Sequence, residues 1–418
     1  MNSDLRSRTA LISISFIFMV SAGLQAQTFT TLFNFDGAHG AQPYLMSLVQ
    51  GGDGALYGTT QFGGAHNSGT LFRITPTGSS TALYSFCAKS QCLDGQQPEA
   101  GLLLGPGKVV YGSTAQGGRG TCGLYLGCGT LFRFSANGTL MDRSFLGADG
   151  AIPAAALLRG TDGNLYGTTS AGGSDSSCDA GCGTIFKVTP NGTLTTLHSF
   201  TYAVDGALPY SALIQGSDGS FYGTTSGGGP GGFGLGTIFK ITLTGAFTTL
   251  YTFDSAHGGT PFGSLVEGVD GNFYGTTYSG GIHDCFNPCG TVFQITPAGS
   301  LTVLHKFILS DGGAPSAGLI LATDGNFYGT TTIGGDITCN APYGCGTIFE
   351  MSPGGTLTTL HSFSGSDGSY PTGGLLQAAD RNLYGTTFEG GSKGLGTVFK
   401  LSLDLRVDHQ SRSASLDE

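Results

Sequence analysis

Asp-Gly-Asn-Phe-Tyr-Gly-Thr-Thr, at Asp324–Thr331, is the stretch that decides the fold, because its core recurs along the chain of 418 residues. Tyr-Gly-Thr-Thr begins at Tyr57, Tyr166, Tyr222, Tyr274, Tyr328 and Tyr384, and a Tyr-Gly-Ser-Thr variant begins at Tyr111. Successive copies start 54, 55, 56, 52, 54 and 56 residues apart. A fixed period of this length indicates tandem repeats, each of them one supersecondary unit.

Each repeat contains four stretches typical of β-strands. In the third repeat they are Pro153–Arg159, Asn164–Thr169, Gly183–Thr189 and Thr193–Phe200. Asp162-Gly163 separates the first two and Pro190-Asn191-Gly192 the last two. Both sequences favour tight hairpin turns. Four antiparallel strands at this period predict the blades of a β-propeller.

The two ends of the repeat region are complementary. Thr28–Phe35 matches the fourth strand of a repeat, whereas the last repeat stops after its third strand, Gly396–Leu403. The N-terminal strand therefore supplies what the last repeat lacks. We predict an all-β, seven-bladed β-propeller over residues 27–403, with four antiparallel strands per blade. The N-terminal strand completes the last blade and thereby removes two exposed sheet edges.

The repeat resembles the GloVer tandem-repeat family of exported bacterial proteins. The resemblance is carried by Asp324–Thr331, Gly334-Gly335, Gly346–Phe349 and Leu357–Phe363, and every repeat carries versions of these motifs across about residues 28–403. It implies a secreted or surface location and no particular reaction. The C-terminal tail, residues 404–418, is polar and lacks a recognisable anchor of the kind this family carries.

Composition and the N-terminus bear on the location of the protein. Residues 1–26 are predicted to be a signal peptide, with Arg6 and Arg8 before an apolar stretch, Ala10–Leu24. The alternative is an uncleaved membrane anchor, for which this stretch is short. We expect a secreted, periplasmic or cell-surface protein with no membrane span in the mature chain. The net charge of −10 and the lack of a basic cluster predict no nucleic-acid partner.

Ten cysteines form five local pairs, which predict disulfides in an exported protein. The pairs are Cys87/Cys92, Cys122/Cys128, Cys178/Cys182, Cys285/Cys289 and Cys339/Cys345. A zinc site is the alternative, but it requires four converging ligands, and these pairs belong to different repeats. We predict no metal and no cofactor. Because strands alternate in direction, the loops between strands two and three and the loops between blades lie on one face, here called the loop face. All five pairs are predicted to lie there.

One Asp recurs in each loop between blades: Asp36, Asp94, Asp149, Asp205, Asp254, Asp311 and Asp367. As a ring of carboxylates near the channel, they are candidate ligand-binding residues. The alternative is that each Asp accepts hydrogen bonds from the amides of its own turn. His198, His305 and His361 are interpreted as packing residues of the outermost strands. Thr139–Phe145 is one residue shorter than its counterparts and is expected to be irregular.

No hydrolytic or phosphate-binding motif occurs in the sequence. The leading hypothesis is a secreted or cell-surface binding module that recognises a glycan, a peptide or a surface protein through the loop face. One alternative is a carbohydrate-active enzyme with acids gathered at the channel mouth, which requires two carboxylates within about 10 Å of each other on that face. The other is a structural component of the cell envelope.

Overall fold

The computed structural model describes residues 27–122, 126–231, 234–281 and 289–403. These residues form seven four-stranded antiparallel sheets, which confirms the predicted propeller. The predicted signal peptide, residues 1–26, and the polar tail, residues 404–418, lie outside the described residues. None of the described segments is a helix long and apolar enough to cross a bilayer.

The strands are short and are numbered in chain order. They are β1 (Thr28–Asn34), β2 (Val49–Gln50), β3 (Leu56–Thr60), β4 (Thr70–Ile74), β5 (Ser80–Ser85), β6 (Leu103–Gly105), β7 (Val109–Thr114), β8 (Thr130–Phe134), β9 (Leu140–Ser144), β10 (Leu158–Arg159), β11 (Leu165–Thr169), β12 (Thr184–Val188), β13 (Leu194–Ser199), β14 (Ile214–Gln215), β15 (Phe221–Thr225), β16 (Thr237–Ile241), β17 (Phe247–Thr252), β18 (Val266–Glu267), β19 (Phe273–Thr277), β20 (Thr291–Ile295), β21 (Leu301–Lys306), β22 (Ile320–Leu321), β23 (Phe327–Thr331), β24 (Thr347–Met351), β25 (Leu357–Ser362), β26 (Leu376–Gln377), β27 (Leu383–Thr387) and β28 (Thr397–Ser402). Two short 3₁₀ turns cover Ser90–Cys92 and Pro106–Lys108.

Blades 1 to 6 are β2–β5, β6–β9, β10–β13, β14–β17, β18–β21 and β22–β25, each hydrogen-bonded in chain order. The first strand of each blade is the innermost, because residues just before these strands in all seven blades line one central cavity of about 70 Å³. The first strands are only two or three residues long, shorter than the sequence predicts. The stretch that follows each proline lines the channel instead of pairing.

Ring closure follows the predicted permutation. Blade 7 consists of β26, β27, β28 and, on its outer side, β1. β1 pairs antiparallel with β28, from Thr28 opposite Ser402 to Asn34 opposite Thr397. The Asn34 side chain also accepts a hydrogen bond of 2.8 Å from the Ser392 amide. The N-terminal strand therefore occupies the place of a fourth strand and completes the ring.

Aromatic packing between blades forms the core. The Phe at the end of each outermost strand is fully buried: Phe35, Phe86, Phe145, Phe200, Phe253, Phe307 and Phe363. Each cluster combines neighbouring blades, as where Tyr384 of blade 7 joins Phe72 of blade 1. Burying a large side chain contributes about 1.5–3 kcal/mol, so the clusters between blades are the main source of stability.

A buried threonine pair links the second and third strands of every blade. In blade 3 the hydroxyls of Thr169 and Thr184 lie 2.8 Å apart, and the Thr184 amide donates to the Thr169 hydroxyl at 3.1 Å. Both side chains are fully buried. The last Thr of Tyr-Gly-Thr-Thr and the Thr of Gly-Thr are therefore hydrogen-bonded parts of the fold, which explains why both recur.

The expectation that the outermost strand of blade 2 is irregular was wrong. In six blades this strand carries a β-bulge, whose extra residue is a leucine: Leu32, Leu83, Leu197, Leu250, Leu304 or Leu360. In blade 2, β9 pairs with β8 in an unbroken register. The shorter segment Thr139–Phe145 is therefore the regular strand, because it lacks the bulge residue that its counterparts contain.

Candidate functional site at the channel mouth

Two positions of the repeat surround the opening of the central channel on the loop face. One directly follows the proline of each blade: Tyr44, Glu99, Ala154, Tyr210, Phe262, Ser316 and Thr372. The other directly follows Tyr-Gly-Thr-Thr or its variant: Gln61, Ala115, Ser170, Ser226, Tyr278, Thr332 and Phe388. We call these fourteen residues the channel mouth. Five of the first set also line the central cavity.

The backbone that carries the mouth has an unusual conformation. The residue before each proline has φ between 51° and 58° in all seven blades, although none of these residues is glycine. Such a conformation costs about 1–3 kcal/mol and persists only where neighbouring contacts hold it. In blade 3 the carbonyl of Ile152 accepts a hydrogen bond from Ser170, and its amide donates to the carbonyl of Cys128 in blade 2.

This last hydrogen bond connects the disulfides to the mouth. In four blades the residue before the proline donates its amide to the second cysteine of a pair in the preceding blade, as Leu208 does to Cys182 at 2.9 Å. The position that follows this cysteine has room only for glycine. A Cβ on Gly183, whose φ is +101°, would lie 2.6 Å from the ring of Pro209. The cysteine pairs therefore brace the loops that hold the mouth residues.

Aromatic side chains form two groups at the mouth. Tyr44 and Phe388, on blades 1 and 7, have ring centroids 5.4 Å apart. Tyr210, Phe262 and Tyr278, on blades 4 and 5, form a second group with centroids 5.5 and 5.3 Å apart. In a ring of seven blades these positions lie on opposite sides of the opening. The mouth is therefore walled by aromatic rings on two sides.

Glu99, on blade 2, adds one acid to this site. Its side chain is partly buried, and its carboxylate accepts a hydrogen bond of 2.7 Å from the Gln61 amide. Burial raises the pKa of Glu99 to about 6, and the Gln61 hydrogen bond only partly opposes this. Burial also raises the pKa of Tyr44, and the charges of Glu99, Tyr210 and Tyr278 raise it further. Glu99, Tyr210 and Tyr278 therefore each lie within electrostatic reach of Tyr44.

The seven recurring Asp residues lie elsewhere in the loops between blades. Each accepts hydrogen bonds within or next to its own turn, as where the Asp94 carboxylate accepts from Ala88 and Lys89 at 2.9 and 3.0 Å. The other six are Asp36, Asp149, Asp205, Asp254, Asp311 and Asp367. None of the seven lines the central cavity in the described part of the chain. Ligand binding by these residues stays a prediction, and their contacts match the turn alternative.

Four of these carboxylates also bond to a side chain of an outermost strand, at the rim of the disc. Asp94 accepts from the Tyr84 hydroxyl at 2.7 Å, and His198, His305 and His361 contact Asp205, Asp311 and Asp367 at 2.8, 3.1 and 3.0 Å. His361 also stacks on Phe29, with centroids 3.8 Å apart. The histidines therefore pack, as expected, and also hold the loops. Burial tends to raise the pKa of Asp367, but hydrogen bonds from His361 and Ser364 outweigh it and lower the pKa.

Four of the predicted disulfides are present: Cys87–Cys92, Cys122–Cys128, Cys178–Cys182 and Cys339–Cys345. Cys289 is also disulfide-bonded, whereas Cys285 lies outside the described residues. Disulfides indicate an oxidising environment. Within residues 27–122, 126–231, 234–281 and 289–403, no three His, Cys, Asp or Glu side chains are grouped to hold a metal ion.

Sequence reasoning missed Glu99 and the aromatic mouth residues. It proposed the recurring Asp residues of the loops between blades as candidate ligand-binding residues instead. A position whose residue type varies between repeats would have been the useful signal. The residue after each proline keeps a fixed place in the repeat while its chemistry changes from Tyr to Glu, Ala, Phe, Ser and Thr. A position that is constant in geometry and variable in side chain marks a surface that carries specificity.

Among solved structures, a gluconolactonase from Xanthomonas campestris is 11% identical over 90% of both chains, with a TM-score of 0.43. A protein assigned as a glucose dehydrogenase, from Thermus thermophilus, is 13% identical over 90% of this chain and all of that one, with a TM-score of 0.42. Similarity this low carries no argument about this chain. A search of curated proteins finds no match.

The sequence also matches a family model, and this match spans most of the chain. The model describes the Gloeobacter/Verrucomicrobia repeat and matches residues 16–126, 124–288 and 283–414. These three segments contain all seven copies of the tetrapeptide from which the repeat was recognised. The chain therefore belongs to the Gloeobacter/Verrucomicrobia repeat family.

Proposed function

We propose that this protein is exported and acts as a non-catalytic binding module that holds a glycan at the channel mouth. The observation that carries the proposal is the combination of aromatic groups on two sides of the mouth with one partly buried acceptor, Glu99. A sugar ring has an apolar C–H face and a rim of hydroxyls. Tyr offers an apolar ring with a polar hydroxyl, and a carboxylate accepts hydrogen bonds strongly.

The mouth also has the rigidity that weak polar recognition requires. Its backbone is held by hydrogen bonds between neighbouring blades and by the disulfides next to them. Pre-organised side chains lose less entropy on binding, so more of the contact energy appears as affinity. Glycans with alternating apolar and hydroxyl surfaces fit this arrangement better than a peptide, which would need a free strand edge or a deep apolar groove.

Export is supported by two observations. The disulfides favour an oxidising compartment, and residues 1–26 carry the pattern of a signal peptide. We therefore propose a periplasmic, secreted or cell-surface location, where polysaccharides are accessible. N-terminal sequencing of protein recovered from the medium or periplasm tests this location. A chain that begins at Gln27 supports export with cleavage, and recovery only from the cytoplasm contradicts it.

A carbohydrate-active enzyme is the second candidate, and Glu99 is the observation that favours it. A carboxyl group with a pKa of about 6 can act as a general acid near neutral pH. Glycoside hydrolysis requires a second carboxylate nearby, and no second carboxylate contributes to the pKa of Glu99 among the described residues. We therefore favour binding. Release of reducing sugar that disappears in Glu99→Gln would favour the enzyme instead.

Binding to an immobilised panel of neutral oligosaccharides tests the main proposal. We expect wild-type protein to bind a subset, and Tyr44→Ala and Tyr210→Ala each to weaken binding at least about tenfold, as loss of an aromatic anchor does. Val269→Ala is the matched control, because Val269 is 91% exposed on the hairpin that follows β18, on the opposite face. Equal losses in all three variants, or no binding by the wild type, would reject the proposal.

A further inference from the structure

Blade 2 differs from the other six blades at its boundary with blade 3. Elsewhere, the bulge leucine of one blade packs into the cluster shared with the next blade. At the boundary of blades 7 and 1, a Cβ on Gly78 would lie only 2.5 Å from the carbonyl oxygen of Leu32. At the boundary of blades 2 and 3, a Cβ on the equivalent Gly192 would meet nothing within 4 Å, which also holds for Gly138 at the boundary of blades 1 and 2, so the missing bulge leucine, and not this glycine, is what sets blade 2 apart.

The missing leucine leaves a cleft of about 450 Å³ between these two blades. We call it the blade-2 cleft. It opens beside the turn that contains Gly192, on the face opposite the channel mouth, which we call the hairpin face. Its walls include Leu131 of blade 2 and, on the side of blade 3, Leu157 and Val188. The volume and the apolar walls fall within the range of small-molecule sites.

Three arginines line this cleft: Arg133, Arg143 and Arg159. Within the described part of the chain, none of them forms an ion pair. Arg143 donates to the carbonyl of Gly192 at 2.7 Å, Arg159 lies 5.7 Å from the centroid of Tyr111, and Arg133 donates to the Met141 sulfur at 3.8 Å. Among the described residues that line the cleft, the one acid is Asp142, which is paired with Lys89.

The other blades show why Arg133 lacks a carboxylate. In blade 1 the equivalent Arg73 forms a 2.8 Å ion pair with Asp53, in the turn between the first two strands. Lys240 pairs with Asp218 in the same way in blade 4. Blade 2 has Gly105-Pro106-Gly107 in this turn, and the Asp is missing. The omission of this Asp and of the bulge leucine therefore places unpaired positive charge around an open apolar space.

We propose that the blade-2 cleft binds a small organic anion, a carboxylate on an apolar body, held between Arg133, Arg143 and Arg159. Guanidinium groups match carboxylates in geometry and charge, and the three exposed arginines of this cleft leave their charge available to an anion. An inorganic anion has no surface to place against Leu131 and Leu157, so the apolar walls select an organic one. This site is separate from the channel mouth and uses different blades.

Calorimetric titration with benzoate, and with its uncharged counterpart benzamide, tests the proposal. We expect benzoate to bind at least about tenfold more tightly than benzamide, and its affinity to fall with added salt. Arg133→Gln should weaken benzoate binding about tenfold. Arg73→Gln is the matched control, because Arg73 holds the same place in blade 1 and already has Asp53 as its partner.

A leucine inserted between Asp142 and Arg143 supplies a second test. It restores the bulge that the other six blades contain, so we expect it to fill the cleft and to abolish benzoate binding while the fold is kept. Equal affinity for benzoate and benzamide, no binding of either, or equal loss in Arg133→Gln and Arg73→Gln would each overturn the proposal. Unchanged benzoate binding after the insertion would place the site outside the cleft.

Discussion

Replacing Glu99 with glutamine should make the protein more stable and a weaker binder. Burial raises the pKa of this carboxyl from 4.5 to about 6 in the folded protein. The folded state therefore holds the proton to higher pH than the unfolded chain does. Ionisation of Glu99 therefore costs the folded state no stability below about pH 4.5, and the full cost is present above about pH 6. This difference in pKa corresponds to about 2 kcal/mol.

Glutamine has no charge to bury and can still bond to Gln61. At pH 8, Glu99→Gln should therefore raise the free energy of unfolding by up to about 2 kcal/mol, whereas at pH 4 the two proteins should be nearly equal. Urea denaturation followed by circular dichroism at both pH values measures the difference. Glu389→Gln makes the same chemical change elsewhere on the loop face and should show no comparable gain.

Binding should change in the opposite direction. If Glu99 accepts hydrogen bonds from a glycan, Glu99→Gln should weaken glycan binding at least about tenfold while it stabilises the fold, as is common where a functional group is held in an unfavourable environment. A stability difference that is the same at pH 4 and pH 8 would refute the argument from burial. Unchanged glycan affinity would remove Glu99 from the binding site.

Three further predictions concern the scaffold. Thr169→Val removes the acceptor of the Thr184 amide and should lower the free energy of unfolding by about 2 kcal/mol in urea, whereas Thr195→Val, at an exposed position of β13, should change it by less than about 0.5 kcal/mol. Asp367 has a lowered pKa, so Asp367→Asn should destabilise the protein at pH 7, and the deficit should shrink as the pH falls below 4; a constant deficit in thermal melts would contradict this. Replacing Cys178 and Cys182 with serine should cost about 2 kcal/mol and weaken glycan binding, and full retention of affinity would show that this disulfide does not support the mouth.

The architecture was predictable because recurring motifs mark the strands and turns of each repeat. Tyr-Gly-Thr-Thr or its variant recurs every 52 to 56 residues, and Thr28–Phe35 supplies the strand that the last repeat lacks. Each of these signals is local in the chain, so it can be recognised without coordinates. The pairing of β1 with β28 joins residues more than 360 positions apart, yet it follows from counting strands.

The site was less predictable because it depends on distances between blades. Nothing in the sequence near Tyr44 shows that Glu99, Tyr210 and Tyr278 lie within electrostatic reach of it. The recurring Asp residues attracted attention through their regularity; their hydrogen bonds match the turn alternative, and ligand binding by them stays a prediction. The missing residue near Asp142 was visible in the sequence, and its consequence, an open cleft, was visible only once neighbouring blades were packed.

The binding role of the channel mouth can be measured with a single fluorophore, because the chain contains no tryptophan. Phe262→Trp places one at the mouth, and Val269→Trp places one in the same blade on the hairpin face. Titration with the neutral oligosaccharides that bind the wild-type protein in the immobilised panel should shift the emission of Phe262→Trp in a saturable way and leave Val269→Trp unchanged. Equal responses from both reporters, or a response from Val269→Trp alone, would contradict the assignment of the binding site to the channel mouth.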